Sequence, residues 1–182
     1  MPTALVPLAQ GCEDLEAVTI IDVLRRGGLD LCSASLDSQS VRGARGTVFV
    51  ADVPLDSVLD RAFDLVALPG GQPGAENLRR DPRILELLKR HHGRGAFIAA
   101  VCAAPAVLAE AGLLRGRRVT CFPGALDDGK HGAELEDAPV VRDGRLITGR
   151  SAGAALDFSL ALVEALMGPA RRGEVEKGML RP

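Results

Sequence analysis

The chain alternates between short apolar runs and longer amphipathic segments, and this pattern predicts strands that alternate with helices. The runs short enough for buried strands are residues 3–9, 29–35, 64–68 and 97–101. The segments whose apolar residues recur at helical spacing are residues 13–26, 82–90, 105–114 and 154–167. Such alternation favours a mainly parallel sheet covered by helices on both faces, an α/β fold with its ligand site beyond the carboxyl ends of the strands.

The segments between these elements have weaker patterns. Residues 38–46 are polar and contain glycine, so we expect a loop there, followed by a short strand at 47–50. Residues 127–137 are expected to form a charged loop. Residues 139–148 predict a hairpin that turns at Asp143-Gly144. The tail after Gly168-Pro169 is compatible with a short helix.

Cys102 lies where the fourth apolar run meets a helix start, in the segment IAAVCAAP. A sharp corner between a strand and a helix requires small residues on either side of the central one, and here these are Ala100 and Ala104. This is the steric pattern of a nucleophile elbow, with cysteine in the place of serine. The helix start is expected to lower the thiol pKa. The alternative is a buried, inert cysteine, because free cysteine is among the most buried residue types.

The first helix has acidic residues at its start and arginines at its end, as the helix dipole favours. Glu13 and Asp14 are expected to stabilise the dipole and do nothing more. Glu16 lies among apolar positions of the same helix, so burial should raise its pKa and allow it to exchange a proton with a nearby thiol. The alternative for Glu16 is a further acid that stabilises the helix start.

Composition and charge argue against several classes of function. The 182 residues, 47% hydrophobic and 25% charged, are expected to form a single domain over 1–182. A net charge of -2, five Phe and neither Trp nor Tyr argue against sequence-specific nucleic-acid binding and against an anionic membrane surface. The apolar start lacks a basic flank and is too short for a signal or a span, so we expect a reducing, cytoplasmic compartment and free thiols. No CxxC occurs and only three His are present, so no metal site is expected.

Collinear segments over nearly the whole chain carry a family resemblance. They are GCEDLEAVTIIDVLRRGG, DLVALPGGQPGAENL, FIAAVCAAPAVLAEAGLL, VTCFP and GRSAGAALDFSLALVEALMG. The chain resembles the ThiJ/PfpI superfamily, in the branch of the parkinsonism-associated protein deglycase and the bacterial YajL-like proteins. The resemblance implies a flavodoxin-like three-layer sandwich, a homodimer and a reactive cysteine paired with a glutamate.

The resemblance also implies the site residues. It places the nucleophile at Cys102, the glutamate at Glu16 and the backbone oxyanion donors at Gly71 and Ala103. Gly71 could also belong to an ordinary turn at the end of a strand. Arg26 and Arg45 match arginines that the family brings near the site and the dimer seam, and they are candidates for substrate or anion binding.

One position departs from the family pattern. Phe122 stands where some members carry a histidine before the proline of the VTCFP segment. His131 lies in the next loop and has no assigned role on sequence grounds. Cys12 and Cys121 also follow strands, as secondary thiols or, more simply, as packing residues; Cys32 is expected in the core. His91 and His92 are expected to cap an exposed helix.

The resemblance implies a glutathione-independent glyoxalase or deglycase that acts on glyoxal, methylglyoxal or their early adducts with protein and nucleotide amines, without a metal or organic cofactor. Two alternatives remain open. One is a non-enzymatic sensor of oxidative stress or a redox-regulated chaperone, because an exposed reactive thiol also oxidises. The other is a cysteine peptidase-like hydrolase, which the missing histidine disfavours.

Overall fold

The computed structural model describes residues 1–37, 39–126 and 130–181, in which strands and helices alternate as the sequence predicts. The strands in chain order are β1 (Thr3–Leu8), β2 (Asp30–Ser35), β3 (Ser40–Arg42), β4 (Val48–Val50), β5 (Val53–Pro54), β6 (Leu65–Leu68), β7 (Phe97–Val101), β8 (Arg118–Val119), β9 (Glu134–Leu135), β10 (Val140–Asp143) and β11 (Leu146–Gly149). The α-helices are α1 (Asp14–Arg26), α2 (Gln72–Arg80), α3 (Pro82–Gly93), α4 (Pro105–Glu110), α5 (Ala155–Met167) and α6 (Pro169–Gly178). Short 3₁₀ turns cover Leu55–Val58 and Ala152–Ala154.

Seven strands form the central sheet, in the order β10, β11, β7, β6, β1, β2, β5. Neighbouring strands are parallel except β10, which returns antiparallel to β11 through the predicted hairpin. Leu68 of β6 pairs with Ala100 of β7, so the two strands end close together. We call the edge where the parallel strands end the carboxyl edge and the opposite one the amino edge. The loops after β1, β6 and β7 meet at the carboxyl edge, as expected for a parallel α/β sheet.

Helices cover both faces of the sheet, which makes three layers. Side chains of β7 alternate between the two cores: Ile98 and Ala100 pack towards α2, α3 and α4, whereas Ala99 and Val101 pack towards α1, α5 and α6. Both faces of β7 are therefore buried, which is why its sequence is an uninterrupted apolar run. The predicted α/β sandwich with a mainly parallel sheet is confirmed.

Three local predictions are wrong. The expected loop at 38–46 contains β3, which pairs with β4 and buries Val41; Ser38 itself lies outside the described residues. The helix α2 was not predicted, because it carries a Pro-Gly pair and buries few side chains, so it shows no clear apolar period. The expected charged loop includes β9, which pairs with β8, while residues 127–129 lie outside the described part.

The helix after the elbow is shorter than predicted. The pattern suggested a helix to residue 114, but α4 ends at Glu110 and the chain turns at Gly112, where φ is +75°. A left-handed conformation suits glycine because it has no Cβ. In the described residues no helix is both long and apolar enough to cross a membrane.

His91 does not cap an exposed helix as the sequence suggested. Its side chain is fully buried at the amino edge, where Nε2 accepts a 3.1 Å hydrogen bond from the Phe63 N–H. Nδ1 lies 2.8 Å from the Leu87 carbonyl oxygen, so Nδ1 carries the proton of a neutral imidazole and donates it. Burial lowers the pKa of His91, because the charged form is disfavoured away from water.

Candidate functional site

Cys102 occupies the corner between β7 and α4 at the carboxyl edge. Its φ is +63°, a left-handed conformation that a non-glycine residue adopts at a cost of about 1–3 kcal/mol. The Cys102 N–H donates to the Gly149 carbonyl at 2.9 Å, and the Cys102 carbonyl accepts from the Phe122 N–H at 2.9 Å. The end of β11 and the segment that follows β8 therefore hold the strained residue on both sides. Ala100 and Ala104 are fully buried, as the elbow geometry requires.

Glu16 reaches the same point from the first turn of α1. Glu13 precedes this helix and caps it, because its side chain accepts from the Glu16 N–H at 2.9 Å. The Glu16 carboxyl is fully buried, and its Oε2 accepts a 2.7 Å hydrogen bond from the Gly70 N–H. Its Oε1 has no hydrogen-bonding nitrogen or oxygen among the described residues, and the Cys102 thiol is the side chain that interacts with the carboxyl.

Gly70 lies against both reactive side chains. A Cβ on Gly70 would lie 2.8 Å from the Cys102 Cβ and 2.8 Å from Glu16 Oε2. Side chains do not approach so closely, so only glycine lets the thiol and the carboxyl meet here. The Pro69-Gly70-Gly71 sequence marks this position only as a turn after a strand.

The ionisation of the pair is dominated by burial. Burial raises the pKa of Glu16 from 4.5 to about 7, although the hydrogen bonds from Gly70 and Cys102 lower it. Burial and the Glu16 carboxylate raise the pKa of Cys102 to about 12. The Ala103 N–H at the helix start lowers the thiol pKa as expected, but burial and the Glu16 carboxylate outweigh it. A raised thiol pKa favours the protonated thiol beside Glu16.

The backbone N–H groups of Gly71 and Ala103 hydrogen-bond to the Cys102 sulfur, and both interactions favour the thiolate. Gly71 has φ +85°, and a Cβ there would lie 2.5 Å from the Glu13 nitrogen and 2.6 Å from the Gly11 carbonyl oxygen. Both the backbone conformation and the close packing at position 71 therefore require glycine. The structure brings both predicted donors to the sulfur, close to where a reacting oxygen would develop charge.

The two candidate arginines do not join Cys102 and Glu16 within the chain. Arg26 ends α1, ten positions and about 15 Å from Glu16, and pairs with Asp22 at 2.7 Å. Arg45 is exposed, and its backbone N–H donates to Asp14 at 2.8 Å. Asp14 also accepts from the Thr47 N–H at 2.9 Å, so it fixes the 43–47 loop against α1 instead of serving the helix dipole alone.

The remaining candidates surround the pair. Phe122 has an exposed side chain, and its backbone N–H donates a hydrogen bond to the Cys102 carbonyl. Ala103 and His131 share the lining of a 320 Å³ cleft with charged residues of α2 and α4, namely Glu76, Arg79 and Glu110. None of the His side chains in the described residues is among the hydrogen-bond partners of Cys102.

The other three cysteines are buried and are not joined by disulfides in the described residues. Cys32 lies in the core as expected, and burial raises its pKa. Burial and neighbouring Asp14 raise the pKa of Cys12 to about 11, which disfavours reaction as a thiolate. Within the described part of the chain, no group of three or more His, Cys, Asp or Glu side chains is arranged to hold a metal ion.

The chain is similar to known proteins over nearly its whole length. Residues 2–165 match the DJ-1/PfpI family. Protein DJ-1 homolog B of Arabidopsis thaliana is 40% identical over 173 residues, which are 94% of this chain. The chain spans 40% and 46% of the lengths of the two Arabidopsis relatives, homologs B and A. Glutathione-independent glyoxalase DJR-1.2 of Caenorhabditis elegans is 38% identical over 92% of this chain and 90% of its own length.

The fold is similar to solved structures over its whole length. A DJ-1 superfamily protein from Salmonella typhimurium superposes with a TM-score of 0.95 at 35% identity, covering 100% of both chains. The crystal structure of Drosophila melanogaster DJ-1beta gives a TM-score of 0.93 at 37% identity, over 98% of this chain and 97% of that one. The elbow cysteine, the buried glutamate and these matches lead to one conclusion: the chain belongs to the DJ-1/PfpI family.

Proposed function

We propose that the protein is a cysteine-dependent enzyme that converts glyoxal and methylglyoxal to hydroxy acids without glutathione. The observation that carries the proposal is the contact between the half-buried Cys102 thiol and the buried Glu16 carboxyl, whose pKa is raised to about 7. A group with a pKa near neutrality can both accept and return a proton at physiological pH. The relative named as a glutathione-independent glyoxalase supports the same reaction class.

The proposed reaction begins with addition of sulfur to the aldehyde. Glu16 accepts the thiol proton as the sulfur attacks the aldehyde carbon, and the proton passes to the aldehyde oxygen to give a hemithioacetal. The N–H groups of Gly71 and Ala103 stabilise the oxygen while it carries negative charge. No bond to a cofactor is required in this step.

Glu16 next transfers a proton between adjacent carbons. It removes the C–H proton from the former aldehyde carbon, the hydroxyl proton moves to the neighbouring carbonyl oxygen, and Glu16 delivers its proton to the neighbouring carbon. The product is a thioester of the hydroxy acid on Cys102. Water hydrolyses this thioester, releases lactate when methylglyoxal is the substrate, and restores the thiol. The same addition extends to early aldehyde adducts of protein or nucleotide amines, which would make the enzyme a deglycase.

An oxidation sensor is the second candidate, and the Glu16 carboxyl beside the Cys102 sulfur favours it. A protonated carboxyl at this position can donate a hydrogen bond to a sulfinate formed on Cys102. A peptidase is less well supported, because Glu16, and not a histidine, is the proton-accepting side chain in contact with the thiol.

The first test is methylglyoxal consumption with lactate detection, without added glutathione. The wild type should form one lactate for each methylglyoxal consumed, Cys102→Ser should form none, and Glu16→Gln should fall by about 100-fold or more. Cys32→Ala, which removes a core thiol, is the matched control and should retain activity. Methylglyoxal loss without lactate would mean scavenging by the thiol. If the protein turns over no methylglyoxal but dilute peroxide oxidises Cys102, the enzyme proposal fails and the oxidation-sensor proposal takes its place.

We also propose that the protein forms a homodimer through an apolar face of α1 and β4. Leu15 and Val18 on α1 and Val48 and Val50 on β4 are about half or more exposed. Val18 and Val50 line one 280 Å³ groove, so the two elements present a continuous surface. Exposed apolar patches of this kind are typical of protein interfaces.

Sedimentation velocity tests this face. The wild type should sediment as a dimer at micromolar concentration, and Val18→Asp should shift it to monomer. Leu135→Asp alters an exposed leucine on β9, away from the face, and should remain dimeric. A monomeric wild type, or a Val18→Asp variant that remains dimeric, would contradict the proposed interface.

A further inference from the structure

A second cavity lies at the amino edge, at the opposite end of β7 from Cys102. It has a volume of about 560 Å³, and its lining includes Phe63, Asp64, Arg94, Phe97, Arg145 and Leu166. β7 starts at Phe97 and Cys102 follows its end, so about 16 Å of extended chain separate the two positions. The cavity is therefore distinct from the thiol–carboxyl site, and nothing in the proposed aldehyde chemistry uses it.

Arginines surround the two phenylalanines of this cavity. The Arg145 guanidinium lies 4.9 Å from the centroid of the Phe97 ring, and the Arg142 guanidinium lies 5.6 Å from the same centroid. Arg61 lies 4.9 Å from the centroid of Phe63. A guanidinium placed over an aromatic ring is ordered by the cation–π attraction, while the N–H groups in its plane stay available for an anion.

In the part of the chain that the structure describes, the two arginines that line this cavity, Arg94 and Arg145, have no ion-pair partner. Among the described residues, no carboxylate forms an ion pair with Arg94 or Arg145; every ion pair found involves other cations. Asp64 lines the cavity, but its Oδ2 accepts from the Thr3 N–H at 2.8 Å and from the Thr3 hydroxyl at 3.1 Å. Its carboxylate thus anchors β1 instead of pairing with an arginine.

The backbone around the arginines is held by the sheet. The Arg145 carbonyl accepts from the Ile98 N–H at 2.9 Å, and the Phe97 N–H donates to the Asp64 carbonyl at 2.8 Å. The Cα positions of Arg145 and Phe97 are therefore fixed by the sheet, and the contact with the Phe97 ring orders the Arg145 guanidinium. A guanidinium that is already ordered against a ring loses less conformational entropy when a ligand binds than a free one does.

We propose that this amino-edge cavity binds a small organic carboxylate with a flat apolar body. The carboxylate would accept bidentate hydrogen bonds from the Arg94 and Arg145 guanidinium groups, which match its geometry. The apolar body would lie against the partly exposed Leu166 and beside the small exposed parts of Phe63 and Phe97. The cavity volume lies within the range of small-molecule sites.

The probe for this site is 2-naphthoate, and binding is measured by isothermal titration calorimetry on the full chain at low ionic strength. The double variant Arg94→Gln/Arg145→Gln should weaken binding by about tenfold or more, because two charge-assisted interactions are lost. Arg115→Gln removes an exposed positive charge outside the cavity and should bind like the wild type. Methylglyoxal turnover and the melting temperature of the double variant show whether the fold and the carboxyl edge are intact.

Two control probes show whether the cavity recognises both the charge and the apolar body of the ligand. Naphthalene-2-methanol keeps the apolar body without the charge, and inorganic phosphate keeps a charge without the body; both should bind at least about tenfold more weakly than 2-naphthoate. Equal binding of either probe would overturn the proposed ligand class. Equal 2-naphthoate binding by the double variant, or no binding by the wild type at millimolar concentration, would overturn the site itself. These outcomes are independent of whether the aldehyde activity exists.

Discussion

Glu16 and His91 are both fully buried ionisable side chains at opposite edges of the sheet. They differ in how completely their polar atoms are hydrogen-bonded. His91 has a partner for each ring nitrogen, the Leu87 carbonyl and the Phe63 N–H. Glu16 has the Gly70 N–H on one oxygen, while the other oxygen lacks such a partner among the described residues. The imidazole is a satisfied structural group, and the carboxyl is left ready to take a proton.

The difference shows that destabilising local features are concentrated at the carboxyl edge. The carboxyl edge combines an incompletely bonded carboxyl with a left-handed Cys102, and both features cost stability. The two groups also act oppositely on the pH dependence of folding. Glu16 has a raised pKa and favours the folded state at acidic pH, whereas His91 has a lowered pKa and favours it at neutral pH.

The largest effect is expected for Glu16→Gln, which should raise the free energy of unfolding at pH 8 by about 2 kcal/mol while it removes most activity. Ionising Glu16 in the folded state, with a pKa of about 7 instead of 4.5, costs about 3 kcal/mol. Part of that gain is lost because the Gln amide has only a weak acceptor nearby. The unfolded chain releases the Glu16 proton first as pH rises, so the gain should fade from pH 7 towards pH 4.5.

Urea denaturation of both proteins from pH 4.5 to pH 8 measures this difference. The Glu13→Gln variant is the control, because Glu13 caps the same helix from a partly exposed position. A Glu16→Gln variant that is less stable than the wild type at pH 8 would mean that the carboxylate is better solvated than its burial indicates.

Gly70→Ala is expected to reduce aldehyde conversion by about 100-fold, since displacement of a reacting group by about 1 Å has an effect of this size. The new methyl group would overlap both the Cys102 Cβ and Glu16 Oε2. Gly93→Ala, at the end of α3 near the amino edge, has no heavy atom within 4 Å of the added Cβ and should be neutral. Steady-state kinetics compares the two variants; equal activity would show that the thiol and the carboxyl need not approach as closely as they do here.

The smallest effect is expected for His91→Gln, which should lower the free energy of unfolding at pH 7 by about 1–2 kcal/mol through loss of well-placed hydrogen bonds. The wild type loses the His91 contribution as pH falls below about 6.5, because the unfolded state then binds the proton more readily. The variant should therefore show a shallower loss of stability between pH 7 and pH 5 in thermal denaturation. Activity should not change, and a large loss of turnover would argue against a purely structural role.

Much of the architecture was predictable because buried strands and helices need apolar residues at regular positions in the sequence. The fully buried β7 is an uninterrupted apolar run, and α1 has its acids, arginines and apolar positions where helix electrostatics and packing require them. The helix α2 and strand β3 were missed, since few of their side chains reach the core. The burial of His91 was also missed, because one histidine at a helix end carries no periodic signal.

The sequence by itself determined the strand–helix order, the elbow around Cys102 and, through family resemblance, its pairing with Glu16. Local sterics explain this: a tight corner accepts only small neighbours, and a helix start accepts acids. The tertiary structure alone decided that Gly70 lies against both the thiol and the carboxyl, and that burial raises the pKa of Glu16 and of Cys102. These properties depend on desolvation and on contacts between residues distant in the chain, which no local pattern records.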